Sequence, residues 1–331
     1  MPNAIEADSL CKSFTLRIRG KTQTVQAVRN VSLTVQPGEI FGFLGPNGAG
    51  KTTCQRMLTT LLPMDSGRAR VAGFDIRTQQ RAARRHIGYV SQRGGADSAA
   101  SGRENLITAA RLYGLSRTDA QRRTDELAAL MALEDILDRA AGSYSGGQKR
   151  RLEIALGIVN RPDVLFLDEP TTGLDPQNRA ALWQHIKALK DSGTAVFLTT
   201  HYLDEADHLA DELAIMDNGS IVAQGTPKEL KQRVAGEVLT LACPSASGAM
   251  ADELCLQGDV LSAQAQEGAA LILYVKDGAC ALPRILERMN ALGARVDAIS
   301  LAQPSLDDVF MMYTGRKLRD AGRRRQYDRL A

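Results

Sequence analysis

From Phe41 to Cys54 the chain reads FGFLGPNGAGKTTC. An apolar run, Phe41–Leu44, enters three glycines, Gly45, Gly48 and Gly50, followed by Lys51 and the threonines Thr52 and Thr53. Glycine opens backbone conformations closed to other residues, at an entropic cost. So much freedom beside one lysine requires a reason other than packing. Upstream, VQAVRNVSLTV, QPGE and IFGFLG read as strand, turn and strand. Downstream, KTTCQRMLTTLL has helical spacing and stops at Pro63.

Gly45–Thr52 matches G-x-x-x-x-G-K-[ST] in the setting that gives the pattern meaning, a strand before and a helix after. Glycines let successive N–H groups turn inward, and with the helix N-terminus they form a cup of positive partial charge. Gly45, Pro46, Asn47, Gly48, Ala49, Gly50, Lys51, Thr52 and Thr53 are therefore candidate phosphate-binding residues. Lys51 would reach the β- and γ-phosphates, and the Thr52 hydroxyl would ligate Mg²⁺.

A second segment, DVLFLDEP, carries Asp168 and Glu169 at the mouth of a short apolar strand. Ligand sites in parallel sheets open at such carboxyl ends. Asp168 would hold Mg²⁺ through water, and Glu169 would polarise an attacking water. Together the two segments imply a nucleoside triphosphatase. Apolar runs alternating with helices imply a mainly parallel α/β sheet covered on both faces.

The chain has 331 residues, a net charge of +3, 44% hydrophobic and 24% charged residues. This is ordinary globular composition, with no global electrostatic case for nucleic acid. Five cysteines without C-x-x-C spacing suggest neither a disulfide framework nor a zinc site. No stretch approaches the roughly 18 apolar residues of a membrane span, so the expectation is a soluble chain, or one reaching a membrane through a partner. The start, MPNAIEADSLCKSF, does not read as a signal peptide. Cys54, at the start of a helix, is expected to have thiolate character and to be sensitive to alkylation, with a buried, inert thiol as the alternative.

YSGGQKRRLEIA, Tyr144–Ala155, resembles the signature motif of ATP-binding cassette (ABC) proteins. Gln92 in GYVSQ resembles that family's Q-loop, Asp175 in GLDP its D-loop, and His201 in TTH its switch histidine. The resemblance spans about residues 5–235, with the motifs in the family's order. It implies ATP as the nucleotide, Mg²⁺ as cofactor, and two cassettes meeting head to tail. Ser145, Gly146, Gly147 and Gln148 of one copy would face the γ-phosphate held by the other. Glu169, His201 and Gln92 would be catalytic, with Gln92 also near Mg²⁺ beside Thr52 and Asp168. Tyr144 departs from the family's usual leucine. Phe14 resembles the aromatic that stacks on adenine, although TLRIRGKTQT after it is longer than usual; core packing is the competing role.

The resemblance gives a nucleotide-binding domain over 4–235 with a helical subdomain about 93–155. From about Gly236 the texture of the sequence changes, EVLTLACP and ALILYV reading as strands and ALPRILERMNALG and LDDVFMMY as helices. This gives a small α/β domain over 236–315 and then a basic tail over 316–331. QPSLDDVFMMYTG, Gln303–Gly315, resembles the end of the drug-resistance branch, daunorubicin-export ATPases among them. That implies a motor on the cytoplasmic face of the membrane, driving export of a drug-like or hydrophobic compound through separate permease subunits. Residues of about 93–115 would supply the groove for the permease. The tail would be either solvated or in contact with anionic headgroups. The alternative is a soluble ABC ATPase acting on nucleic acid or ribosomes. Against it stand a near-neutral charge, one P-loop with one signature, and no room for long coiled coils.

Overall fold

A computed structural model describes residues 2–18, 21–234, 236–266 and 270–315. The basic tail lies outside the described residues. Contacts divide the chain into two compact units between Thr226 and Pro227, upstream of the boundary expected at 235/236.

In the first unit the strands and helices are, in chain order, β1 Ile5–Ile18, β2 Lys21–Val35, β3 Ile40–Leu44, α1 Lys51–Leu58, β4 Ser66–Val71, β5 Phe74–Asp75, α2 Gln80–Arg85 and β6 Ile87–Val90. They continue with α3 Gly102–Leu112, α4 Arg117–Leu130, α5 Gly146–Gly157, β7 Val164–Asp168, α6 Pro176–Asp191, β8 Ala195–Thr200, α7 Leu203–Leu209, β9 Glu212–Asp217 and β10 Ser220–Gly225. The central sheet has the order β10-β9-β3-β8-β7-β6. It is parallel except for the β9–β10 hairpin, which turns at Asn218 and Gly219. A smaller antiparallel sheet, β2-β1-β4-β5, packs beside it.

The apolar strand segments alternate within themselves, because successive side chains take opposite faces. Phe41, Phe43, Phe166 and Phe197 point to the side shared with β1, β2, β4 and α1. Leu165, Leu167, Val196 and Leu198 point to the side covered by α3–α6. Phe197 is the hub of the first face, with ring centroids 5.6 Å from Phe41, 5.5 Å from Phe43 and 5.4 Å from Phe166. Burying each such ring contributes about 1.5–3 kcal/mol. A sheet apolar on both faces is rigid, and it delivers the ends of β3, β7 and β8 to one place.

The helical stretch between β6 and β7 is fixed by its caps. Ser101 and Glu104 form a capping box at the start of α3, and Ser116 caps α4. Such caps fix where these helices begin.

The second unit contains α8 Pro227–Arg233, β11 Glu237–Ala242, α9 Gly248–Cys255, β12 Val260–Gln266, β13 Ala270–Val275, α10 Gly278–Ala291, β14 Ala298–Ala302 and α11 Leu306–Thr314. Its sheet, β12-β13-β11-β14, is antiparallel. Leu239, Leu241, Leu271 and Leu273 form one core with Leu254 of α9 and Ile285 and Met289 of α10. Ser305 and Asp308 form a capping box on α11, whose Asp308 also accepts from Tyr274 Oη at 2.9 Å.

Among the described residues no helix is long and apolar enough to cross a membrane.

Candidate functional site

The loop from β3 to α1 is shaped by two close approaches. A Cβ at Gly45 would come within 2.3 Å of the Met216 carbonyl oxygen. At Gly50, φ is +112° and a Cβ would come within 2.3 Å of the Ala27 carbonyl oxygen. No side chain caps α1 at Gly50, so its first-turn N–H groups point outward as donors for an anion.

Lys51 opens α1 and is only 4% exposed. Its Nζ donates to the Gly45 carbonyl at 2.6 Å and to the Pro46 carbonyl at 3.2 Å, and lies 3.8 Å from Glu169 Oε1. Burial lowers its pKa from 10.5 to about 8, against the opposing pull of the Glu169 and Asp168 carboxylates.

Asp168 ends β7, where Oδ1 accepts from Thr52 Oγ1 at 3.1 Å and from Thr199 Oγ1 at 2.6 Å. Glu169 follows in a left-handed conformation, φ 46°, which costs a residue with a side chain about 1–3 kcal/mol. Its Oε2 accepts from Gln92 Nε2 at 2.9 Å and Thr172 Oγ1 at 3.2 Å, while His201 Nδ1 lies 3.1 Å from Oε1. Burial raises the Glu169 pKa, but the nearby His201 ring, the charge of Lys51 and the Thr172 hydroxyl outweigh it. The carboxyl is held below its ordinary value and is ionised at neutral pH.

Lys51 and Glu169 border a cavity of about 580 Å³, large enough for a nucleotide, while Asp168 and His201 lie behind that lining. Asn47, Gly48, Gly50, Lys51, Thr52, Thr53, Gln92 and Glu169 line it, with Phe14, Val25, Ala27, Arg29 and Asn218 on the wall towards β1, β2 and the β9–β10 turn. Phe14 is 36% exposed, with Lys12 Nζ 5.8 Å from its ring centre. It lies on the cavity wall and not in the core.

The signature residues lie elsewhere in the chain's own fold. Ser145 caps α5, accepting from Gln148 N at 3.3 Å, while Ser145 N donates to Gln148 Oε1 at 2.9 Å. A Cβ at Gly147 would come within 2.3 Å of Asn178 Oδ1, and Asn178 N in turn donates to Asp175, the cap of α6, at 2.9 Å. Neither Ser145–Gln148 nor Asp175 lines the cavity around Lys51. Tyr144 is buried, with its hydroxyl donating to the Ile136 carbonyl at 2.7 Å.

The thiolate expected at Cys54 is overturned. Cys54 is fully buried in the core under α1, and burial pushes its thiol up to about 12. The helix N-terminus does not compensate, because the side chain faces the core. From the stretch 93–115, where a groove is expected, Gly94, Gly95, Ala109 and Tyr113 line a second cavity with Thr59, Leu61, Tyr89, Ser91, Glu153 and Leu156. Thr199, Thr172 and Asn178 are contributors that sequence reasoning missed. Only Thr199 left a signal, as a hydroxyl at the end of a buried strand two residues before His201.

Two family models match the chain: ABC transporter over residues 28–172, and the C-terminal domain of DrrA1-3-like ATP-binding proteins over 225–314. The daunorubicin/doxorubicin resistance ATP-binding protein DrrA of Streptomyces peucetius is 42% identical over 314 residues, 94% of this chain and 92% of that protein. A Nod factor export ATP-binding protein I of Burkholderia thailandensis is 38% identical over 296 residues, covering 88% of this chain and 93% of that protein. Among solved structures, CbiO1 of Clostridium perfringens, part of the ABC transporter complex CbiONQ, matches with a TM-score of 0.61 at 26% identity, over 71% of this chain and 94% of that one. With a nucleotide-sized cavity, a P-loop and this relationship in hand, the chain belongs to the ABC ATPases as a transporter ATP-binding subunit of the drug-resistance, DrrA-like branch.

Proposed function

We propose that the chain is the motor of an exporter for a drug-like or hydrophobic compound, working at the cytoplasmic face of the membrane with a separate permease. The supporting observation is a division within one chain: Lys51, Thr52, Gln92 and Glu169 share a cavity that Ser145–Gln148 do not reach. A second copy would bring its signature to that cavity, and two ATPs would be closed between two chains. Two relatives are named for daunorubicin/doxorubicin resistance and for Nod factor export, dissimilar compounds, and the choice of compound would lie with the permease.

Within one site the P-loop N–H groups and Lys51 hold the phosphates, and Phe14 offers a face for the base. Glu169, ionised and oriented by Gln92, His201 and Thr172, accepts the proton of the attacking water. His201, beside Glu169, would hold the γ-phosphate, and Asp175 with Asn178 would carry the closure to the signature helix. The Asp168 carboxylate meets hydroxyl oxygens, those of Thr52 and Thr199, and an oxygen set of the Thr52 hydroxyl, the Asp168 carboxylate and the Gln92 amide oxygen would suit a hard cation such as Mg²⁺. When bound, Mg²⁺ would neutralise phosphate charge. The permease would seat in the groove of Tyr89, Ser91, Gly94, Tyr113 and Glu153, which adjoins Gln92. The domain over 236–315 would be an accessory to this motor.

Glu169→Gln tests the reading. It keeps the hydrogen-bonding shape and removes the base, so turnover should fall about 10²–10⁴-fold while ATP and Mg²⁺ still bind. The stalled protein should run as a dimer in ATP–Mg²⁺ and as a monomer without nucleotide, and Ser145→Arg should abolish the dimer. Normal hydrolysis by Glu169→Gln would remove the assigned base. A variant that binds ATP and never pairs, even when purified with the permease, would remove the two-chain site.

A further inference from the structure

The signature helix carries a buried ion pair whose arginine none of these roles uses. Arg150 and Glu153, each 7% exposed, meet with Nη1 to Oε2 at 3.0 Å. The rest of the guanidinium is spent on main-chain carbonyls of two other segments. Nη1 also donates to Ser91 at 2.9 Å, Nε to Pro170 at 2.8 Å and Nη2 to Asp168 at 3.2 Å. Ser91 precedes Gln92, and Asp168 and Pro170 flank Glu169. Glu153 in turn packs so tightly on Gly94 that a Cβ there would overlap its carboxylate.

We propose that Arg150, braced by Glu153, is a positioning residue for hydrolysis that fixes the Glu169 turn and the Gln92 loop to the signature helix. A planar fork reaches both carbonyls around Glu169 at once, which a lysine's point charge cannot do. That grip holds Glu169 in its left-handed conformation, with the carboxylate aimed at His201 and Gln92. Because Glu153 and Gly94 both line the groove, an occupant of the groove presses on the brace directly. Movement there is carried to Glu169 without passing through the P-loop. The inference rests on the proposed roles of Glu169 and Gln92.

A buried pair can also serve stability alone, and exchanging both partners for apolar residues is often neutral for stability. Two variants of the full chain separate the roles. Arg150→Lys keeps the charge and loses the fork: kcat should fall roughly ten- to hundredfold, with KM for ATP within about twofold because Arg150 touches no P-loop residue. The double variant R150M/E153L removes both charges together but leaves the Ser91, Asp168 and Pro170 carbonyls without their donor, so it should melt no higher than Arg150→Lys and keep kcat low. Recovery of kcat in it would overturn the proposal, as would parental kcat in Arg150→Lys. If the double variant does not fold, Arg150→Lys decides alone: low kcat at parental melting temperature supports the role, and low kcat with a matching loss of melting temperature overturns it. Glu169→Gln run beside them distinguishes the two readings, since its parental turnover would remove the role that Arg150 is argued to serve.

Discussion

Helices α1 and α5 both begin in glycine-rich turns, yet they end their first turns differently. α1 starts at Gly50 with no side-chain cap and hides its only first-turn cation, Lys51, beside two carboxylates. α5 starts at Ser145 with a capping box, in which Gln148 N and Ser145 N are matched by the Ser145 and Gln148 side chains. The first helix start has no side-chain cap, and the second is capped by its own residues. A helix that needs its ligand suits a tight nucleotide cradle. One that stands without it suits a contact made and broken at each closure, where the phosphate must compete with an internal cap.

The largest break in this contrast is Lys51→Ala. Loss of charge-assisted hydrogen bonds of about 1.5–3 kcal/mol should weaken ATP binding roughly 10- to 150-fold, read by titration with a fluorescent ATP analogue. An unchanged Kd would place the phosphates elsewhere.

Acidity sharpens the same side of the contrast. Lys51 is protonated below about pH 8 and neutral above it in the free protein, and a bound polyanion favours the protonated form. Binding above pH 8 must therefore take up a proton, so ATP affinity should fall by up to about tenfold per unit between pH 8 and 10. The slope should vanish in Lys51→Ala; a flat profile in the parental protein would contradict the buried-lysine account.

The smallest effect lies at α5. Ser145→Ala removes the cap and should cost about 1 kcal/mol, lowering the melting temperature by about 2–4 °C with ATP binding to the single chain unchanged. An unaltered melting temperature would show that the box carries no stability. The contrast between the two helix starts would then fail.

The phosphate loop is legible because its residues are contiguous: Asn47, Gly48, Gly50, Lys51 and Thr52 line one cavity as near neighbours in the chain. The β7 strand was legible for the same reason, five buried residues ending in a carboxylate. What stayed hidden depends on approaches between distant segments. Arg150 reads as one more charge on a helix, because its partners are main-chain carbonyls that no residue type announces. Cys54 has the local surroundings of a reactive thiol and lost that character to the strands packed over α1. The break at Thr226 falls in a stretch where composition hardly changes, whereas the shift in texture near Gly236 marks only the first strand of the second unit. β14 pairs along one side of β11 and reads weakly because all five of its residues are exposed.

The left-handed backbone at Glu169 also constrains how this position can vary in a saturation library. Glycine and asparagine enter that region most readily, and neither supplies an acid. Aspartate supplies the acid and tolerates the backbone, but is one methylene short of His201 and Gln92. Selection for folding alone would therefore drift towards Gly or Asn at this position, and selection for turnover would return glutamate. Sequencing the same library under both pressures would weigh conformational comfort against chemistry at a single codon.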